Sequence, residues 1–211
     1  MNFDRVARHY RWLETLVFGN QLQEARIAFL REIPRPRRVL VLGEGNGRFL
    51  AEFVRAHPTA LVDCVEASAR MIELARQRVN AAQLHFIHAN VQDTALKPGT
   101  HDLIVTHFFL DCFDEKALST LIDRLACAAT PAAYWLVADF CEPKCGWRRL
   151  HARFLIAFMY FFFRAAAGIE ARRLVDYRPF LQAKGFILAR EVLSPNEMVR
   201  SELWRCTLQS G

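Results

Sequence analysis

A chain of 211 residues with 53% hydrophobic and 24% charged side chains carries enough apolar content for one full core, which excludes an intrinsically disordered chain. A net charge of +6 and a sequence pI near 9.2 leave anionic partners open until that charge is located along the chain. Six cysteines without a C-x-x-C pair fit a reducing compartment better than a disulfide framework, and residues 1–11 are charged with no apolar h-region, so a cytoplasmic protein without a signal sequence is expected.

Taken from the start, Val6, Tyr10, Leu13 and Val17 recur at helical spacing. Gly19 and Asn20 interrupt, and Leu22, Ala25, Phe29 and Ile33 resume the pattern, predicting two helices in residues 1–37. Residues 39–42 then form a short unbroken apolar run, as expected for a parallel strand covered on both faces. Gly43, Gly45 and Gly47 follow at alternate positions, and Phe49, Leu50, Phe53 and Val54 face one way as far as the stop at His57-Pro58. Strand, glycine loop and helix in this order suit a nucleotide-like ligand, because positive φ and the missing Cβ let a ligand approach main-chain N–H groups. The dinucleotide fingerprint needs its third glycine where Arg48 stands, which argues against a nicotinamide-dependent oxidoreductase.

Residues 60–65 read as a second strand, followed by a helix capped by Ser68 and lined by Met71, Leu74, Ala75 and Val79. Residues 84–88 read as the third strand and 101–109 as the fourth with its loop. Asp114 caps a helix lined by Leu118, Leu121, Ile122, Leu125 and Ala129, which Thr130-Pro131 ends, and residues 133–138 are the fifth strand. Residues 174–184 read as a helix closed by Gly185, with Pro179 confined to its first turn. Two strands finish the chain, 186–193 and a second in which Trp204, Cys206 and Leu208 alternate with polar residues. Cys141, Cys145 and His151 lack the paired four-ligand spacing of a structural zinc site, so no metal is expected.

The G-x-G-x-G spacing of Gly43, Gly45 and Gly47, with Glu66 at the end of the second strand, resembles class I S-adenosylmethionine-dependent methyltransferases. The opening F-D-R-V-A-R-H-Y is similar to the arm of the ubiquinone/menaquinone methyltransferase group, with Arg11 where that group has an aspartate. The resemblance implies one domain over residues 1–211: α/β, a doubly wound, seven-stranded, mostly parallel sheet with an antiparallel edge strand. A helical N-terminal arm (1–37), a cofactor half (38–140), a helical insertion after the fifth strand (145–173) and a closing helix and strand pair (174–211) would divide it. It implies S-adenosylmethionine as cofactor, S-adenosylhomocysteine as product, and a site of Gly43, Glu44, Gly45, Gly47, Glu66, Ala67, Met71, Asn90, Val91 and Thr106. Asn90 stands where the family has an acid that accepts from the adenine amino group, and its amide oxygen can accept the same bond. Asp93 is the alternative, although a capping role is expected of it. Val41 replaces the acid that the family uses toward the methionine portion, leaving Glu44 either to meet the ammonium or to be solvated at a loop tip.

For the transfer itself, alignment and exclusion of water matter most, and a base is needed only for an acceptor that starts protonated. His107, Asp111 and Asp139 are the candidates, His107 first because imidazole titrates near neutrality; its alternative is a histidine bonded to neighbouring main chain. The expected acceptor is a small hydrophobic or aromatic molecule held by Tyr10, Phe108, Phe158, Met159 and Phe162. For Tyr10, simple packing of the arm stands beside that role. Residues 154–163 hold ten residues without a charge, too few to span a bilayer, so they form either a core helix or a lid. Six Arg against Glu170 alone in residues 147–173 suit peripheral contact with an anionic membrane. The missing Asn/Asp-Pro-Pro-aromatic motif after the fourth strand argues against a nucleic-acid methyltransferase. An RNA-directed enzyme and a binding protein without catalysis both stay open, as does the acceptor atom.

Overall fold

The computed structural model describes residues 20–143 and 174–207. Its centre is a seven-stranded sheet in the order β3-β2-β1-β4-β5-β7-β6: β1 Arg38–Leu42, β2 Leu61–Glu66, β3 Leu84–His88, β4 His101–His107, β5 Ala129–Phe140, β6 Phe186–Leu193 and β7 Val199–Cys206. The first five run parallel, and β7 is antiparallel to both β5 and β6, so the antiparallel pairings gather at the β6 edge. This is the doubly wound, seven-stranded, mostly parallel sheet expected from the sequence.

Helices cover both faces. On one, α2 (Arg48–Ala56) buries Phe49, Leu50 and Phe53 against Val39, Val41, Leu103, Val105 and Leu136, with Phe29 and Ile33 alongside. On the other, α4 (Glu115–Ala128) and α5 (Arg178–Ala183) cover Leu40, Leu42, Ile104, Trp135, Val137 and Trp204. Residues directly paired across strands share a face and successive residues alternate, which separates these two cores through the middle of every strand. α1 (Gln21–Ile27) docks near β7, where Ser201 Oγ donates to the Ala25 carbonyl at 2.9 Å, and α3 (Ala69–Arg78) follows β2.

Several boundaries move from where periodicity puts them. After Ile27 the chain tightens into i to i−3 turns, Leu30 N to Ile27 O and Glu32 N to Phe29 O, before Pro34. β5 starts four residues earlier than predicted, because its pairing to β4 shifts register between His101 and Leu103 and the irregularity absorbs Pro131, which has no N–H to give. α5 begins four residues late, at Arg178, since Pro179 must sit in the first turn. β7 covers 199–206 and is buried on both faces over much of its length, as befits a strand flanked by two others, so its alternation shows only near its end. Ser68 and Asp114 cap as predicted, accepting from Met71 N and Ala117 N, and Gly185 follows α5 with φ +78°. No helix among the described residues is long and apolar enough to cross a membrane. The first predicted arm helix and the insertion at 145–173 lie outside the described residues.

Candidate functional site

The carboxyl ends of β1, β2 and β4 meet at the point where strand order reverses, which is where an open α/β sheet leaves a crevice. The glycine loop after β1 edges it, and its three positive φ angles, +63°, +72° and +81°, have three different causes. A Cβ on Gly43 would stand 2.4 Å from Cδ2 of Phe109, whose ring crosses the loop. A Cβ on Gly47, the residue before α2, would stand 2.8 Å from the Ala75 Cα, so this glycine sets how closely the loop approaches α3. Around Gly45 a Cβ would meet nothing within 4 Å. Of the three, Gly45 is therefore where a ligand can reach the main chain.

Glu66, 7% exposed at the end of β2, holds this loop in place: one carboxylate oxygen accepts Gly45 N–H at 3.0 Å and the other accepts Ser68 N–H at 2.9 Å. A carboxylate has about four acceptor positions, so capacity remains for ribose hydroxyls. Open space at Gly45 beside such a carboxylate fits the nucleoside half of S-adenosylmethionine. Ala67 is exposed and its carbonyl lies 3.1 Å from His88 Nε2, while Met71 is buried on α3.

Beyond β3, Asn90 Oδ1 accepts Gln92 N–H at 3.3 Å, capping a 3₁₀ turn, Val91–Asp93, in which Val91 is buried. Asn90, not Asp93, is thus the cap; Asp93 lies inside the turn.

Two expected cofactor contacts are corrected. Thr106 is fully buried, its hydroxyl accepting the Trp135 indole N–H at 2.9 Å, because its position in β4 points into the α4 core. Glu44 does not stand solvated at a loop tip: its Oε1 accepts Phe49 N–H at 3.0 Å and Leu50 N–H at 3.3 Å, capping α2 in place of the glycine. Burial pushes its carboxyl up to about 7, against the lowering pull of the Arg26 guanidinium and those two N–H groups.

At the ends of β4 and β5 the setting is aromatic and acidic. Phe108 takes φ +52°, its N–H donates to the Ala138 carbonyl at 2.7 Å, its ring lies 5.1 Å from that of Phe140, and Arg26 of α1 stands 4.9 Å over it. Asp139 is 1% exposed; it accepts the main-chain N–H groups of Phe140 at 2.8 Å and Asp111 at 3.2 Å. Burial and then the Asp111 charge hold its carboxyl well above the ordinary range. Asp111 is pushed up to about 6 by burial, partly offset by the Cys112 thiol 3.6 Å away.

His107 does not join them. It pairs with Ala138 in register, so the next residue, Asp139, lies on the opposite face of the sheet. The imidazole packs edge-on against Phe49 at 4.7 Å, Nδ1 is buried without a hydrogen-bond partner among the described residues, and burial followed by the Arg26 charge pushes its pKa well below the usual histidine value. The three candidate bases thus divide into a carboxylate pair and a separate, neutral histidine.

Tyr10, Phe158, Met159 and Phe162 lie outside the described residues. Arg26, Phe109 and Phe140 were missed. Phe140 follows Asp139 at a strand end, a signal that was available; Arg26 and Phe109 gave none, since they reach the site only through packing of α1 and of the β4 loop.

Comparison with known proteins agrees with this geometry. A sequence profile described as a methyltransferase domain matches residues 39–132. The demethylmenaquinone methyltransferase of Chlamydia pneumoniae is 24% identical over 101 residues, 48% of this chain and 44% of that protein. Among solved structures, an O-methyltransferase family protein from Burkholderia thailandensis superposes with a TM-score of 0.71 at 16% identity, covering 97% of this chain and 60% of that one. The 1,6-didemethyltoxoflavin-N1-methyltransferase of the same organism, solved with its substrate and S-adenosylhomocysteine, gives a TM-score of 0.67 at 16% identity over 97% of this chain and 86% of that one. The chain thus matches less than two thirds of the length of the first two.

Proposed function

We propose that this class I S-adenosylmethionine-dependent methyltransferase passes the methyl group of its cofactor to a small hydrophobic or aromatic acceptor. The observation that carries the proposal is one strand-end region with two unlike parts: an open main-chain approach at Gly45 beside Glu66, and the Asp111–Asp139 carboxylate pair at the ends of β4 and β5. When bound, the cofactor supplies an electrophilic sulfonium methyl.

In this reading Glu66 accepts the ribose hydroxyls, Gly45 and the neighbouring loop meet the ligand through main chain, and Asn90 accepts from the adenine amino group. Val41, 1% exposed in the place of an acid, is withdrawn from the ligand, and Glu44, with Oε1 held on α2, has Oε2 alone for the amino-acid portion. Phe108 and Phe140, whose rings meet at the same strand ends with Phe140 on the His107 face, supply apolar surface for an aromatic acceptor beside the carboxylate pair. Asp139 and Asp111 together take the acceptor's proton, because carboxylates made more basic by burial are suited to a phenol or a comparable weak acid. Tyr10, Phe158, Met159 and Phe162 complete the acceptor pocket, and the basic residues between 147 and 173 give peripheral attraction to anionic membrane.

The test is calorimetric titration of the protein with S-adenosylhomocysteine, followed by transfer of labelled methyl to a panel of phenols, quinols and aromatic amines. Glu66→Gln is expected to weaken S-adenosylhomocysteine binding by about ten-fold or more. A wild type that fails to bind that ligand, or that binds it and methylates RNA but none of the panel, overturns the proposal.

A further inference from the structure

Strand order lays a nucleoside out across the crevice. With the glycine loop at the end of β1 and Glu66 at the end of β2, the next strand outward is β3, so a base attached to a ribose held by Glu66 reaches the loop that follows β3. Part of that loop is tied by itself. The Asn90 carbonyl accepts Asp93 N–H at 3.0 Å and the Thr94 hydroxyl at 2.9 Å, and Asn90 Oδ1 accepts Gln92 N–H.

Its remaining turn is tied from elsewhere. Arg124, on α4, donates from one terminal nitrogen to the carbonyls of Val91 at 3.0 Å and Gln92 at 2.9 Å, and from the other to the carbonyl of Thr94 at 2.6 Å. These three carbonyls bracket the turn that Asn90 caps, and they lie 30 or more residues from the side chain that gathers them. The rigid planar fork of a guanidinium spreads these donors over two nitrogens, whereas an ammonium would have to offer all of them from one.

We propose that Arg124 is a positioning residue for the nucleobase. By fixing the turn it fixes Asn90, whose amide oxygen already receives Gln92 N–H and presents its second lone pair to the exocyclic amino group of adenine. Specificity for adenine at this site is then set from α4, across the loop from the base. The proposal rests on the cofactor reading above.

The experiment compares two ligands on the full chain by calorimetry: S-adenosylhomocysteine, and the analogue carrying hypoxanthine, which has a carbonyl where adenine has its amino group. Arg124→Ala is expected to raise the Kd for S-adenosylhomocysteine about ten-fold and that for the hypoxanthine analogue less than about three-fold, because the bond that Asn90 makes is already absent from the analogue. A Kd for S-adenosylhomocysteine within two-fold of wild type, or equal weakening for both ligands as a general loosening of the fold gives, overturns the proposal. Should Arg124→Ala not fold, Arg124→Lys carries the same test: a lowered discrimination between the two ligands supports the proposal and an unchanged one overturns it. Wild-type protein that binds neither ligand refutes the cofactor reading itself.

Discussion

At the ends of β2 and β3, Glu66 and Asn90 face donors: Gly45 and Ser68 N–H for the carboxylate, Gln92 N–H for the amide. At the ends of β4 and β5, Asp139 and Asp111 are buried near each other, with main-chain donors for Asp139 but burial dominating both. Glu66 and Asn90 serve as fixed acceptors on the loops they hold, whereas Asp139 and Asp111, where burial outweighs the donors, take up a proton readily. The first arrangement suits holding a ligand and the second suits moving a proton.

The largest expected effect lies at the proton-accepting end. Asp139→Asn should lower kcat by about 10²-fold or more with a phenolic acceptor while S-adenosylhomocysteine affinity stays within a few-fold. In the wild type, kcat/KM should rise as pH passes through about 6, the value to which Asp111 is pushed, and the pair titrates as a unit. The linked stability runs the other way. A carboxyl with a raised folded pKa adds stability that is complete below the unfolded value of 3.8 and is lost as pH rises through about 6. Thermal melting across pH 4–8 should therefore fall in the wild type where activity climbs, and fall less steeply in Asp139→Asn, where Asp111 and Glu44 still titrate; parallel curves in the two proteins would break the comparison.

The glycine loop offers a smaller effect with a sharper contrast. Gly47→Ala combines a positive φ with a Cβ 2.8 Å from the Ala75 Cα, and should cost about 3 kcal/mol in urea denaturation. Gly45→Ala has the φ penalty without any clash and should cost about 1 kcal/mol, yet weaken S-adenosylhomocysteine binding by about ten-fold or more. If the two substitutions changed stability and affinity in the same proportion, the division of labour between packing and ligand approach would be lost.

Glu44 gives the smallest effect. Its folded pKa is raised from 4.5 to about 7, so its contribution to stability is complete below about 4.5 and lost as pH rises through 7. Glu44→Gln keeps an acceptor for Phe49 and Leu50 N–H but cannot ionise, and should remove about 2 kcal/mol from the fall in stability between pH 5 and 8. An unchanged pH slope would place the titration elsewhere in the crevice.

What the chain alone determined is what depends on near neighbours. The apolar run before Gly43 makes β1, Ser68 and Asp114 cap the helices they precede, and Pro179 and Gly185 bracket α5 because fixed φ and freedom at positive φ are properties of single residues. Alternating strands and helices, with the glycine loop after the first strand, were enough to reach the sheet. Tertiary structure decided the rest. Glu44 turned from ligand candidate to helix cap, Thr106 from cofactor contact to partner of Trp135, and His107 parted from Asp139. Each outcome is set by which face of a strand a residue occupies and by groups distant in sequence: Arg26 beside Phe108, Phe109 over Gly43, Arg124 on the Asn90 turn. Alternation along a strand is readable from the chain, but which face receives which helix, and which side chains then meet at the strand ends, is decided when the sheet is covered.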